Sequence, residues 1–207
     1  MDMVVFDDGS HFIANLKMAD QFLKSEHHSE ASTRWIAIAL HDALYALLIE
    51  KLTRTDGFGA FNDKFEKRVG EFYAAGKDSR SSDWEALTAD MFKENIGDIG
   101  QLLRRAKLAS GAIIQKKGTS SLDEPSRGLS RLKLLRDGLA HPRPGLSGYY
   151  ADYLVSAFSS TITVIDETRR LRDYGAPRHD GREADLLLDS IRFYLSRWSA
   201  KSSARQT

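Results

Sequence analysis

From Trp35 to Leu52 the chain is apolar on almost every side of a helix, and this run constrains the fold more than any other stretch. Trp35, Ile36, Ile38, Ala39, Leu40, Ala43, Leu44, Leu47 and Leu48 cover most of the helical surface. Such a helix must be surrounded by others, which places it in the middle of a bundle. It also carries His41, Asp42, Glu50 and Lys51, with Arg34 just before it. That many charges suit a buried core helix and not a membrane span. The expected helix runs from about Ala31 to Leu52 and ends at Thr55-Asp56-Gly57.

Helical periods dominate the rest of the sequence, and no alternating strand pattern stands out. Ser10 is positioned to cap a first helix with the stripe Phe12, Leu16, Ala19 and Leu23. Phe58, Phe61, Phe65, Val69 and Phe72 step by three and four, giving a third helix whose aromatics read as core. Ala75 to Ser82 reads as a loop. Ser82-Asp83-Trp84-Glu85 fits a capping box, opening a helix that reaches about Leu108 with a break at Gly97 and Gly100. Ala109 to Arg127 is the best candidate for a long exposed connection. Two helices close the chain. One spans about Gly148 to Tyr174, with Tyr150, Leu154, Ala157, Thr161, Val164 and Leu171 inward. The other spans about Glu183 to Ser199, with Leu187, Leu188, Ile191, Leu195 and Trp198 inward. Residues 1–200 therefore read as a single all-α domain, a helical bundle, and Lys201 to Thr207 as a disordered tail.

Composition narrows the chemistry. The 207 residues include no cysteine, which removes disulfides, thiolate zinc sites and cysteine nucleophiles. Its absence fits a reducing cytoplasm. Met1 to Ser10 is acidic and shows no basic segment followed by an apolar one, so no secretory signal is expected. The formal net charge is +1, so any nucleic-acid surface must be local.

The segment that carries chemistry is Leu129 to Gly145, LSRLKLLRDGLAHPRPG. Leu129, Leu132, Leu135 and Leu139 make a helical stripe, and Pro142 and Pro144 stop the helix just after His141. Arg136 and His141 are five positions apart. On a regular helix five steps of about 100° leave them roughly 140° apart, off a common face. Two arrangements bring them together: a last turn loosened near Gly138 and the prolines, or a cleft shared across a two-fold dimer.

Arg136-Asp137-Gly138-Leu139-Ala140-His141 resembles the motif of the HEPN family, an Arg followed by four to six residues and a His. RWIAIALHDALYALLIEKL resembles the long helix early in that family's bundle. The resemblance covers roughly residues 10 to 175, through the motif and otherwise by pattern. It implies a HEPN-like antiparallel helical bundle with additional helices, a homodimer, and a metal-independent endoribonuclease of a toxin–antitoxin or antiviral system, with RNA as substrate and an antitoxin protein as partner. No cofactor or metal is implied. In that chemistry a 2′-hydroxyl attacks the adjacent phosphate. His141 would serve as base or acid. Arg136 would stabilise charge on the phosphoryl oxygens, and Asp137 would orient an Arg or His side chain. Arg131, Lys133 and Arg143 would hold the RNA backbone. Some HEPN toxins carry a modifiable Tyr two residues after the His; here that position is Arg143, so that form of control is not expected.

Two rival readings stand beside this one. His41-Asp42 resembles the doublet of metal-dependent HD phosphohydrolases, but its flanks are core-like, and the pair reads better as buried polar groups that satisfy each other. His11, His27 and His28 fall at no clear metal-binding spacing. His179 reads as an exposed loop residue, and Arg169, Arg170 and Arg172 as cations favoured at a helix C-terminus. The other rival is a non-catalytic HEPN-like module that dimerises and binds RNA, a nucleotide or a protein with the same Arg and His.

Overall fold

Trp35 to Leu52 falls inside one helix, α2 (Glu30–Leu52), and the bundle is arranged around it. The computed structural model describes residues 8–25, 29–78, 80–91, 94–108, 124–140, 150–171 and 179–203. The other helices are α1 (Asp8–Leu23), α3 (Asp63–Ala74), α4 (Ser82–Met91), α5 (Ile99–Ala106), α6 (Glu124–Ala140), α7 (Ala151–Arg169) and α8 (Gly181–Ser203). Among the described residues there is no strand, and one isolated antiparallel bridge joins Phe61 to Ile96. The protein is an all-α bundle.

Helix α2 touches α1, α5, α6 and α7, as an all-round apolar helix must. Ile36, Leu40, Leu44, Leu47 and Leu48 are fully buried. Each contributes about 1.5–3 kcal/mol by leaving water. Ser29 caps the helix, its hydroxyl accepting from the Ser32 amide at 3.1 Å. Inside the run, His41 Nδ1 lies 2.8 Å from Asp42 Oδ1, so this doublet satisfies itself. Helix α8 packs on α1 and α7, and α6 packs on α7 and α2.

The α3–α4 unit forms a second, smaller core. Phe58, Phe65, Val69, Phe72 and Leu87 are buried there, with Phe61, Trp84 and Met91 against them. Phe58 and Phe61 precede α3 instead of belonging to it, because Asn62 caps the helix and accepts from the Phe65 amide at 3.0 Å. The lead-in is tight. Gly59 sits at φ +118°, and a Cβ there would meet the Leu52 carbonyl oxygen at 2.0 Å.

Several helix ends differ from the sequence reading. Ser10 lies within α1, which begins at Asp8, so it is not the cap. Ser81 and not Ser82 caps α4, accepting from the Trp84 amide at 3.3 Å. The break near Gly97 is real, but Gly100 lies inside α5. Asp98 and Gln101 form the reciprocal capping box that starts α5. Tyr150 is 84% exposed instead of inward, because it holds the extended N-cap position before α7. Helix α8 runs to Ser203, taking in the first three residues of the expected tail. Glu124 to Arg127 belong to α6, while 109–123 lie outside the described residues, as do His27 and His28.

Candidate active site

Helix α6 is placed by its leucines. Leu129, Leu132 and Leu135 are buried against α7 and α2, which turns Lys133, Leu134 and Gly138 to the surface. The α6–α7 approach is close. A Cβ on Gly128 would fall 2.1 Å from the Ser160 Cβ. One turn on, Arg131 Nη1 donates to Ser156 Oγ at 2.9 Å, and its guanidinium lies 4.8 Å from the Tyr153 ring centroid. Gly128 at Ser160 and Arg131 at Ser156 mean that α6 and α7 run antiparallel. Arg131 is thus engaged in docking α6 on α7, while Lys133 is exposed on the outer side.

Arg136 and Asp137 occupy the last described turns of α6. Arg136 Nη1 donates to Asp137 Oδ1 at 3.1 Å, and the two side chains are 37% and 45% exposed. Neighbouring positions on a helix do not face one another, so the pair forms by the long Arg side chain folding back. That contact uses one of the five guanidinium donors. His141 and Arg143 lie outside the described residues.

The surroundings follow from helix direction. Lys51 Nζ reaches the Leu171 carbonyl at 3.4 Å, so α2 and α7 finish at one end of the bundle. The starts of α2 and α7 therefore share the other end with the finish of α6. Arg34 lies there, and its Nε is the one buried side-chain nitrogen or oxygen without a hydrogen-bond partner among the described residues. Trp35, 44% exposed, and Tyr150 also lie at this end. An unsatisfied buried N–H is costly. In the sequence Arg34 stood out only as a charge at the edge of the apolar run.

A second polar centre lies at the far end. His179 is not an exposed loop residue. Its side chain is 5% exposed, and Nδ1 lies 2.9 and 3.0 Å from the two carboxylate oxygens of Glu50, itself 3% exposed. A carboxylate within an apolar helix requires a buried partner, and His179 supplies it. That need was the available signal; the partner is 129 residues away.

Among the described residues no three His, Asp or Glu side chains gather as a metal site, and no helix is long and apolar enough to cross a membrane. Comparisons with protein-family models, curated proteins and solved structures return no match. What fold and site define is a class: an all-α bundle with an exposed Arg–Asp pair where its sixth helix ends.

Proposed function

We propose that this protein is a metal-independent endoribonuclease of the HEPN type, acting as a cytoplasmic homodimer in a toxin or antiviral setting, with an antitoxin protein as its control. The observation that carries the reading is the half-exposed Arg136, braced by Asp137 in the turns that lead directly to His141. A braced guanidinium loses little freedom when it meets a phosphate, and its fork suits two phosphoryl oxygens at once.

In this reading the RNA 2′-hydroxyl attacks the adjacent phosphorus. His141 accepts its proton, and the 5′-oxygen of the next nucleotide leaves, taking a proton from water. The products are a 2′,3′-cyclic phosphate and a 5′-hydroxyl. Arg136 stabilises the charge that gathers on the non-bridging oxygens, a contribution that grows toward the transition state. Lys133 and Arg143 are further cations for the RNA backbone. DNA lacks the nucleophile and is not cut.

The test is incubation of purified protein with end-labelled RNA in EDTA, beside Arg136→Ala, His141→Ala and a DNA control. The expected result is cleavage of RNA alone, with cyclic-phosphate ends, falling at least 100-fold in each variant. Cleavage that survives both substitutions would overturn the assignment. Binding of RNA without cleavage, lost in Arg136→Ala, would turn the reading to the non-catalytic module.

A further inference from the structure

The end of the bundle opposite Arg136 holds a groove of about 590 Å³, between the ends of α2 and α7 and the start of α8. That volume is ordinary for a small-molecule site. His179 forms part of its wall. Its Nδ1 is held by Glu50, and Phe12 packs edge-on against the ring with centroids 4.9 Å apart. With Nδ1 committed to a carboxylate, Nε2 is the ring nitrogen left for a ligand.

The described lining has four fixed cations, Lys51, Arg169, Arg170 and Arg192, against two carboxylates, Asp166 and Asp185, with Glu50 behind the imidazole as a third. Both lining carboxylates are engaged. Arg169 Nη1 lies 2.7 Å from Asp185, and Arg192 pairs with Asp166 and also with Asp189 outside the groove. Arg169 in turn holds the Asp185 carboxyl below its ordinary range, first through that hydrogen bond and then through its charge. These pairs fix the walls. Arg170 stands exposed at the rim and meets no carboxylate among the described residues. Lys51, 4% exposed, comes in from α2 with its ammonium 3.4 Å from the Leu171 carbonyl, which uses one of its three N–H donors.

We propose that this groove binds a small phosphate-bearing molecule, with Lys51, Arg170 and the Nε2 edge of the His179 ring facing the phosphate oxygens. The three groups come from three places: α2, the end of α7 and the lead-in to α8. Polar groups converging from separate directions suit a tetrahedral anion better than a planar carboxylate. Burial of Lys51 strengthens its contact with an anion. The volume exceeds one phosphate ion, so the ligand carries a further polar group such as a sugar. This site is independent of the ribonuclease reading, because Arg136 lies at the other end.

The experiment is calorimetric titration of the full chain with inorganic phosphate, ribose 5-phosphate and ribose, and with an oligoribonucleotide bearing or lacking a 5′-phosphate. Ribose 5-phosphate is expected to bind and ribose not. Arg170→Glu, at the exposed rim, should weaken binding at least tenfold while keeping the wild-type unfolding midpoint; Arg136→Ala should leave it unchanged. Should Lys51→Met fail to fold, Arg170→Glu alone decides. Binding should also shift the His179 ring-nitrogen NMR signals. No binding of either small phosphate at millimolar concentration, or binding indifferent to Arg170→Glu, would overturn the proposal. So would binding of the oligonucleotide alone, which would make the groove an RNA-contacting face.

Discussion

Asp63 shows how a single side chain joins the parts of this fold. It opens α3 and lies 2.5 Å from Arg105 Nη2 and 3.2 Å from Arg104 Nη2, both on α5. Arg105 also donates to the carbonyls of Gly59 and Phe61, so one guanidinium ties α5 to the lead-in of α3. The hydrogen bond from Arg105, above all, holds the Asp63 carboxyl below its ordinary 3.8. A depressed carboxylate contributes stability above its unfolded pKa and loses it as pH falls through the folded value. Asp63→Asn is therefore expected to cost about 0.5–1 kcal/mol at pH 7, a figure kept small because the carboxylate is 44% exposed. The difference should vanish as pH drops below 3.8 and on past the folded value. Urea unfolding of both proteins in a descending pH series measures it, and a gap that stays constant would rule this account out. Local pairs of this kind are partly legible in sequence. Arg136 and Asp137 are adjacent, and their contact needs no tertiary knowledge. Glu50 and His179 are different. Nothing in the chain says which histidine will reach the buried carboxylate, and His179 looked like a surface residue until the fold brought it there.

Gly128 decides how closely α6 can approach α7, and through α6 where Arg136 stands. A methyl group there would meet the Ser160 Cβ at 2.1 Å, its Oγ at 2.2 Å and the Ser156 carbonyl oxygen at 3.1 Å. The first two contacts belong to one small side chain and the third to backbone. Gly128→Ala should thus cost about 1–3 kcal/mol, outweighing the roughly 1 kcal/mol that alanine normally gains over glycine within a helix. Ser160→Gly in the same chain removes the two worst contacts and should recover most of that loss, though not all, because the carbonyl stays. Denaturant midpoints of the two singles and the double test this; additive losses would show that the helices do not meet at these positions. The helices themselves were readable, since the leucine stripe of α6 and the apolar run of α2 state their own periods. Their ends were less so. Ser81 displaces Ser82 as cap of α4 because both are competent caps and packing picks the register. Tyr150 continues the α7 stripe on paper, yet the helix starts one residue too late to carry it inward.

The chain folds around two cores of unequal depth. The larger is built on α2, whose neighbours α1, α5, α6 and α7 bury it on most sides. The smaller, Phe58, Phe65, Val69, Phe72 and Leu87, holds α3 to α4 with few apolar partners beyond its own aromatics. Its ties to the rest are largely polar: Arg105 on the Gly59 and Phe61 carbonyls, the Ala60 carbonyl accepting from the Gly97 amide, and the Tyr45 hydroxyl donating to the Gly97 carbonyl. Sequence periodicity marked the phenylalanines as core but could not say that they form a core apart, since the pattern records which face is buried and not against what. The division has a dynamic consequence. Opening α3–α4 exposes a small apolar cluster and breaks a handful of hydrogen bonds, whereas exposing α2 requires unfolding the protein. Native-state hydrogen exchange at low denaturant should therefore show α3 and α4 amides exchanging through a sub-global opening, at least about 1–2 kcal/mol below global unfolding, with α2 and α7 exchanging only globally. Phe65→Leu, which loosens the small core alone, should lower α3–α4 protection and widen that gap. If α3, α4 and α2 instead converge on one free energy, and Phe65→Leu lowers all of them together, the two cores unfold as one and this division is wrong.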